Sequence, residues 1–201
     1  MKKLLILYPK EFRSFTKFER KISKITANFS DFSVIFPFDY NNFVADFFSV
    51  NAPEIPLTLE PDWKNQKVTH AIIFDDGEEF ADEEDYLTET EVTVRKIKIA
   101  ITRVVNIKKE TKYAKIRKTA EYEYIGRGSY WGNPYSMFAE GETREEVIRK
   151  FKYDFDFEKF PNKEKSEVYK LAGKRLGCFC KPDACHGDVL ADFLNAWDDG
   201  K

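Results

Sequence analysis

Long apolar runs are missing from this sequence. No stretch approaches the roughly 18 consecutive apolar residues needed to span a bilayer, so no membrane partner is expected. The opening residues, MKKLLILYPKEF, carry two lysines before an apolar run. That run is only about five residues long and no small-residue cleavage site follows, so it reads as a buried strand rather than a leader. Cysteine is scarce and odd in number, three in 201 residues. Without a leader, an odd count argues against a disulfide framework, and the expected compartment is a cytoplasm, the organism's own or that of an infected host cell. An excess of one charge is absent too: the formal net charge is −2. A general nucleic-acid coat is therefore not expected, because duplex binding needs a net basic face, although a local basic patch is compatible with this balance.

Bulky aromatics are plentiful. Phenylalanine alone accounts for 19 residues, enough to fill a large core but silent about chemistry. Residues 3–8 form a continuous apolar strand, and 15–29 place Phe18, Ile22, Ile25 and Phe29 at helical spacing. Residues 33–38 read as a second strand, 41–50 as a short helix, 53–61 as a proline-rich connection and 68–74 as a third strand. A helix is expected across 86–96 and a strand across 98–107. Strands alternating with helices predict an α/β fold, a Rossmann-like N-terminal half (1–98) with a mostly parallel sheet, then a smaller α/β domain (99–201). In that second half, Thr143 and Glu146 form a capping box that opens a helix carrying Val147, Phe151 and Phe155. A strand is expected at 176–180 and a helix at 187–197.

The segment LGCFCKPDACHGDVL holds all three cysteines, Cys178, Cys180 and Cys185, and one of the two histidines, His186, within nine residues. Cys178 and Cys180 are two apart on a strand and share a face. Cys185 and His186 open the next helix, whose N-terminus favours a thiolate. Three readings stand. Cys178, Cys180, Cys185 and His186 are ligand types that suit zinc, although the spacing is not that of a common knuckle. Alternatively, Cys185 is a catalytic thiolate with His186 as base or orienter and Asp188 nearby. The third reading is two buried cysteines on a core strand, with Cys-His-Gly-Asp as a capping turn.

A second motif, IGRGSYWGNPY, spans residues 125–135. Arg127 can grip phosphate or carboxylate in a bidentate contact, and Gly128 lets a ligand approach backbone amides. Ser129 and Asn133 offer hydrogen bonds, and Tyr130 and Trp131 offer faces for stacking. The competing reading is a structural turn with Trp131 in the core. His70 reads as structural, and the acidic residues 78–85 and the basic residues 108–118 as solvated surface.

These motifs, IGRGSYWGNPY, TREEVIRKF and LGCFCKPDACHGDVLADFLN, resemble the uncharacterised family catalogued as domain of unknown function 4326, found in bacteria and phage genomes, over roughly residues 99–201. The resemblance implies that Arg127, Ser129, Asn133 and the Cys/His cluster share one site. The first hundred residues resemble a degraded SLOG-type Rossmann domain, through LLILYPKEFRSFTKFERKI, PDWKN and THAIIFDDG. That superfamily binds or processes nucleotides. Here Tyr8-Pro9-Lys10 and Phe38-Asp39-Tyr40 stand in place of its glycine-bearing loops, and without those glycines a phosphate cannot come as close to the backbone.

The reading is an enzyme acting on a nucleotide, nucleoside or related phosphorylated sugar, by hydrolysis or glycosyl transfer, with a zinc or a thiolate from the cluster. The alternative is a non-catalytic module that binds a nucleotide or a protein partner, as a phage factor countering host defence would, around a structural metal site.

Overall fold

The computed structural model describes residues 1–139 and 141–201 and resolves two compact units: Met1–Ile99 with Ala196–Lys201, and Ala100–Asn195. Among the described residues, no helix is long and apolar enough to cross a membrane.

The first unit is built on a five-stranded parallel sheet, β1 (Lys2–Leu7), β2 (Phe32–Phe36), β3 (Leu57–Leu59), β4 (His70–Asp75) and β5 (Thr93–Lys98), in the order β3-β2-β1-β4-β5. Parallel strands buried on both faces lose the polar alternation of half-exposed ones, which is why β1 and β2 read as unbroken apolar runs. Leu4 to Leu7 are fully buried. Helix α1 (Phe15–Thr26) is capped by Ser14, whose hydroxyl accepts from the Lys17 amide. With α2 (Phe43–Asn51), α1 packs aromatic rings onto the sheet: Phe18 stacks on Phe74 at 5.2 Å and tilts against Phe43 at 5.5 Å. Leu5, Ala71 and Ile73 belong to a separate apolar cluster with Leu87 of α3 (Ala81–Glu89) and Trp63. The tail returns to this unit. Lys17, only 4% exposed, places Nζ 2.6 Å from Asp199, and Arg20 Nη2 lies 2.7 Å from Asp198.

The helix expected across 86–96 is corrected. The helix ends at Glu89, and Glu91 adopts a left-handed φ of 56° that breaks it. Thr93–Lys98 then pairs with β4 from His70↔Thr93 to Asp75↔Lys98. The strand expected at 98–107 divides accordingly, Lys98 ending β5 and β6 starting at Arg103. The proline-rich connection contains the short strand β3.

The second unit has a three-stranded parallel sheet of β6 (Arg103–Asn106), β7 (Tyr122–Tyr124) and β8 (Arg175–Cys178), ordered β6-β8-β7. Helix α4 (Arg144–Asp156) opens with the capping box: Thr143 Oγ1 accepts from the Glu146 amide at 3.2 Å, and Glu146 Oε2 accepts from the Thr143 amide at 3.0 Å. Val147, Phe151 and Phe155 of α4 are buried, and the two phenylalanines share one core with Ile125, Leu176 and Leu190. Helix α5 (His186–Ala196) ends near Asn195, whose side chain bonds both backbone groups of Thr102, at 2.8 and 3.1 Å.

Candidate functional site

The end of β8 and the start of α5 bring the cysteines together. Gly177, the last residue before Cys178, is required by packing: a Cβ there would come within 2.1 Å of the Tyr122 hydroxyl on β7. The chain leaves β8 at Cys178, turns through residues 179–184, and re-enters the core at Cys185. Asn106 of β6 donates to the carbonyls of Phe179 and Lys181 and so fixes that turn. The three sulfurs all lie within 4.8 Å of one another, and Cys178 Sγ is 3.4 Å from Cys180 Sγ. Sulfurs around a tetrahedral metal stand roughly 3.8 Å apart, so the trio is close enough to hold a metal ion.

His186 is the fourth member of this group. Its Nε2 lies 2.9 Å from the Ile125 carbonyl, and its Nδ1 lies 3.6 Å from Cys185 Sγ. A carbonyl only accepts, so Nε2 carries the proton. Burial pushes the imidazole pKa down, so the ring is neutral and Nδ1 keeps its lone pair on the cysteine side. A backbone carbonyl fixing the tautomer from behind is the usual support of a metal-binding histidine.

Charge within the trio does not settle where the helix N-terminus suggests. Hydrogen bonds from Cys178 and Cys185 hold the Cys180 thiol well below its usual range, while donation to its two neighbours and burial push Cys185 up. Hydrogen bonding within the trio thus favours charge on Cys180, at the cavity wall, over Cys185, which is 1% exposed. Asp188 is committed elsewhere. Its Oδ2 accepts from the Cys185 amide at 2.9 Å, and its Oδ1 is 2.7 Å from Lys181 Nζ. It caps α5 and does not orient His186.

All four residues line a cavity of about 340 Å³, the lower end of the range for small-ligand sites. Arg127 and Asn133 line it too, but the rest of the loop points elsewhere. Both polar ends of the Asn133 amide are occupied, Nδ2 on the Val147 carbonyl and Oδ1 on the Tyr135 amide. Trp131 is 3% exposed and packs edge-on against Phe155, so its face is not offered to a ligand. Ser129 and Tyr130 line a separate hollow of about 580 Å³ with Asp154 and Lys163. Gly128 has φ +82°, a conformation that suits glycine, and serves the loop's own turn.

Several cavity residues carried no sequence signal. Arg144, at the first position of α4, reaches across to Asp183 at 3.1 Å and to the Ala184 carbonyl at 3.3 Å, tying α4 to the cysteine turn. Phe138 and Phe179 line the cavity although 82% and 52% exposed. Phe179 could have been noticed: an aromatic between two same-face cysteines has to point away from them.

In the first unit, the N-terminus of α2 is filled by the protein itself. Asp39 accepts from the amides of Val44 at 3.1 Å and Ala45 at 2.9 Å, and from the Tyr8 hydroxyl. Such a helix end is a natural seat for a phosphate, and here a carboxylate sits in it.

Comparison with known proteins gives two family matches. Residues 1–105 match the model described as "Minimal SLOG domain", and residues 105–196 match "Domain of unknown function (DUF4326)". A relative from Enterobacteria phage T4, described as "Uncharacterized 12.4 kDa protein in nrdA-td intergenic region", is 41% identical over 73 residues, 35% of this chain and 65% of that protein. The chain thus spans under two thirds of that relative's length. No solved structure matches.

Proposed function

We propose that this chain, which belongs to the minimal SLOG domain family, acts on a nucleotide, nucleoside or phosphorylated sugar held against a zinc ion in its second unit. SLOG domains are associated with nucleotide-related functions, and the reading places that role in the cavity of the second unit, because in the first unit Asp39 fills the N-terminus of α2 and Tyr8-Pro9-Lys10 stands where a glycine-bearing loop would precede α1. The observation that carries it is the convergence of Cys178, Cys180 and Cys185 in the wall of a cavity that also presents Arg127. Three thiolates suit zinc by softness and by tetrahedral geometry. Arg127 and Arg144 supply charge for a phosphate, and the exposed rings of Phe138 and Phe179 supply faces for a base. Cys178, Cys180 and Cys185 would hold such a zinc, which would supply a water of lowered pKa for hydrolysis; without the metal, Cys180 would be the nucleophile available for glycosyl transfer.

A second reading has its own support. Cys178 and Cys185 are part of the buried core of the unit, and His186 Nδ1 faces the trio. If His186 closes the coordination, the zinc is structural and the unit is a binding module, of the kind a phage protein countering host defence could use.

Metal analysis of the purified protein tests the common premise; about one zinc per chain is expected. A fully folded, metal-free protein overturns it. Incubation with nucleoside phosphates and phosphorylated sugars, followed by mass spectrometry of products, separates the two readings. Turnover lost in Arg127→Ala supports the enzyme. A ligand that raises the melting temperature without being converted supports the module.

A further inference from the structure

The three sulfurs of the second unit are close together but differ in access. Cys178 is 4% exposed and Cys185 1%, and both belong to the buried core. Cys180 is partly exposed, in the wall of the cavity of about 340 Å³. The local chain path accounts for the difference. β8 ends at Cys178, the chain bends at Phe179, and Cys180 lies beyond the strand, in the turn that Asn106 holds through the Phe179 and Lys181 carbonyls. The bend returns the Cys180 sulfur to 3.4 Å from that of Cys178.

Metal binding accounts for the meeting of the three sulfurs. Their unequal access has a separate consequence. Oxidation of a cysteine follows access to its sulfur, and the sulfenic acid that forms is captured by a thiol standing beside it. Here the first property belongs to Cys180 and the second to Cys178. Met137, Phe138 and Phe179 line the same cavity, and an uncharged oxidant crosses such a lining at less desolvation cost than an ion.

We propose that Cys180 is a site of oxidation by hydroperoxides, resolved by Cys178 into a disulfide that takes the metal-binding trio apart. The Cys180 sulfur attacks the peroxide: an S–O bond forms, the O–O bond breaks, and the sulfur is oxidised by two electrons to a sulfenic acid while the peroxide is reduced to an alcohol or water. The Cys178 sulfur then attacks that of Cys180. The S–S bond forms, the S–O bond breaks, and the departing hydroxide takes the thiol proton and leaves as water. In sum, two thiols and one hydroperoxide become one disulfide, one water and one alcohol or second water. Closing 3.4 Å to the roughly 2 Å of a disulfide asks little of the turn that carries Cys180. The bridge leaves Cys185 and His186, two donors where a zinc site takes three or four from the protein, so the metal is released. A thiol reductant reverses the change. The release of metal rests on the zinc reading above; the bridge does not.

The full chain, as purified, is treated with a small molar excess of hydrogen peroxide. It is then denatured in iodoacetamide to block free thiols, reduced, labelled with N-ethylmaleimide and mapped by mass spectrometry. Before reduction the intact mass is expected to fall by that of two hydrogens. Cys178 and Cys180 then carry the second label and Cys185 the first. A chromophoric chelator registers release of about one zinc per chain, reversed by dithiothreitol. The bridge still forms in Cys185→Ser, whereas Cys180→Ser, folded by circular dichroism, loses thiols at least about tenfold more slowly. The proposal is overturned if all three thiols survive, if Cys185 carries the second label, or if oxygen adds to Cys180 without a bridge. A bridge formed in protein purified without zinc sinks the zinc reading and supports this one; zinc and three thiols both retained under peroxide sink this one alone.

Discussion

His186 Nε2 donates to the carbonyl of Ile125 at 2.9 Å, and this one bond decides which nitrogen of the ring faces the cysteines. Because the imidazole is neutral and its proton is held on the far side, Nδ1 is left 3.6 Å from Cys185 Sγ as a lone pair rather than a donor.

That arrangement predicts unequal losses of zinc. Serine at Cys178, Cys180 or Cys185 abolishes stoichiometric binding. His186→Ala lowers the affinity by roughly 10- to 100-fold, the range seen when a residue supporting a metal site is removed. Competition against a chromophoric chelator measures both. Wild-type affinity in His186→Ala would put the ring outside the coordination.

Asp39 is predicted to be a structural anion. It accepts from two amides at the start of α2 and from the buried Tyr8, whose phenol pKa is raised by burial and then by this bond. Asp39→Ala should cost about 1–3 kcal/mol, a lost cap together with a buried hydroxyl that keeps the Asn41 amide but has no acceptor for its proton. Urea denaturation reads the loss, and an unchanged midpoint would mean that solvent replaces the carboxylate at no cost.

Tyr122 offers a gain. Its ring is fully buried and stacks on Tyr113 at 4.1 Å, but its hydroxyl is among the buried oxygens without a hydrogen-bond partner. Tyr122→Phe keeps the ring and deletes the orphan oxygen, so stability should hold or rise by up to about 1 kcal/mol. A marked fall in the melting temperature would contradict this.

The tail contacts give a pH dependence. The Arg20 guanidinium beside Asp198 holds that carboxyl below its ordinary value, so the folded pKa is depressed relative to the unfolded one. Stability from the pair is therefore fully present above the unfolded value of about 3.9 and is lost as pH falls through the lower folded value. The melting temperatures of the wild type and Asp198→Asn should differ near neutral pH and converge as the pH falls through the depressed folded value. Curves that stay parallel across that range would show that the pair contributes nothing.

The first sheet was legible because its central strands are buried on both faces, and apolar runs such as LLIL have few other uses. β5 was not: Thr93, Arg95, Lys96 and Lys98 are exposed on an edge, and without an apolar run the segment merges with the helix before it. The cysteine cluster was legible from composition, since three cysteines at i, i+2 and i+7 need only a strand and a turn to meet. The partition of the 125–135 loop was not. Whether Trp131 faces a ligand or Phe155 depends on α4, distant in sequence, and the same helix supplies Arg144 to the cavity. Asp188 misleads for a local reason, because an aspartate after Cys-His-Gly suits both a triad and a helix cap, and geometry alone selects the cap.

The return of the last six residues to the first unit makes that unit discontinuous in the gene. A fragment ending at Ile99 would keep the whole parallel sheet, yet carry Lys17 in its interior without Asp199 and α1 without the partner of Arg20. The two family matches meet at residue 105 as if the chain could be divided there. Physically the first half is closed only by residues that follow the second half along the chain, so on the ribosome its ion pairs with Asp198 and Asp199 form after the second half has emerged.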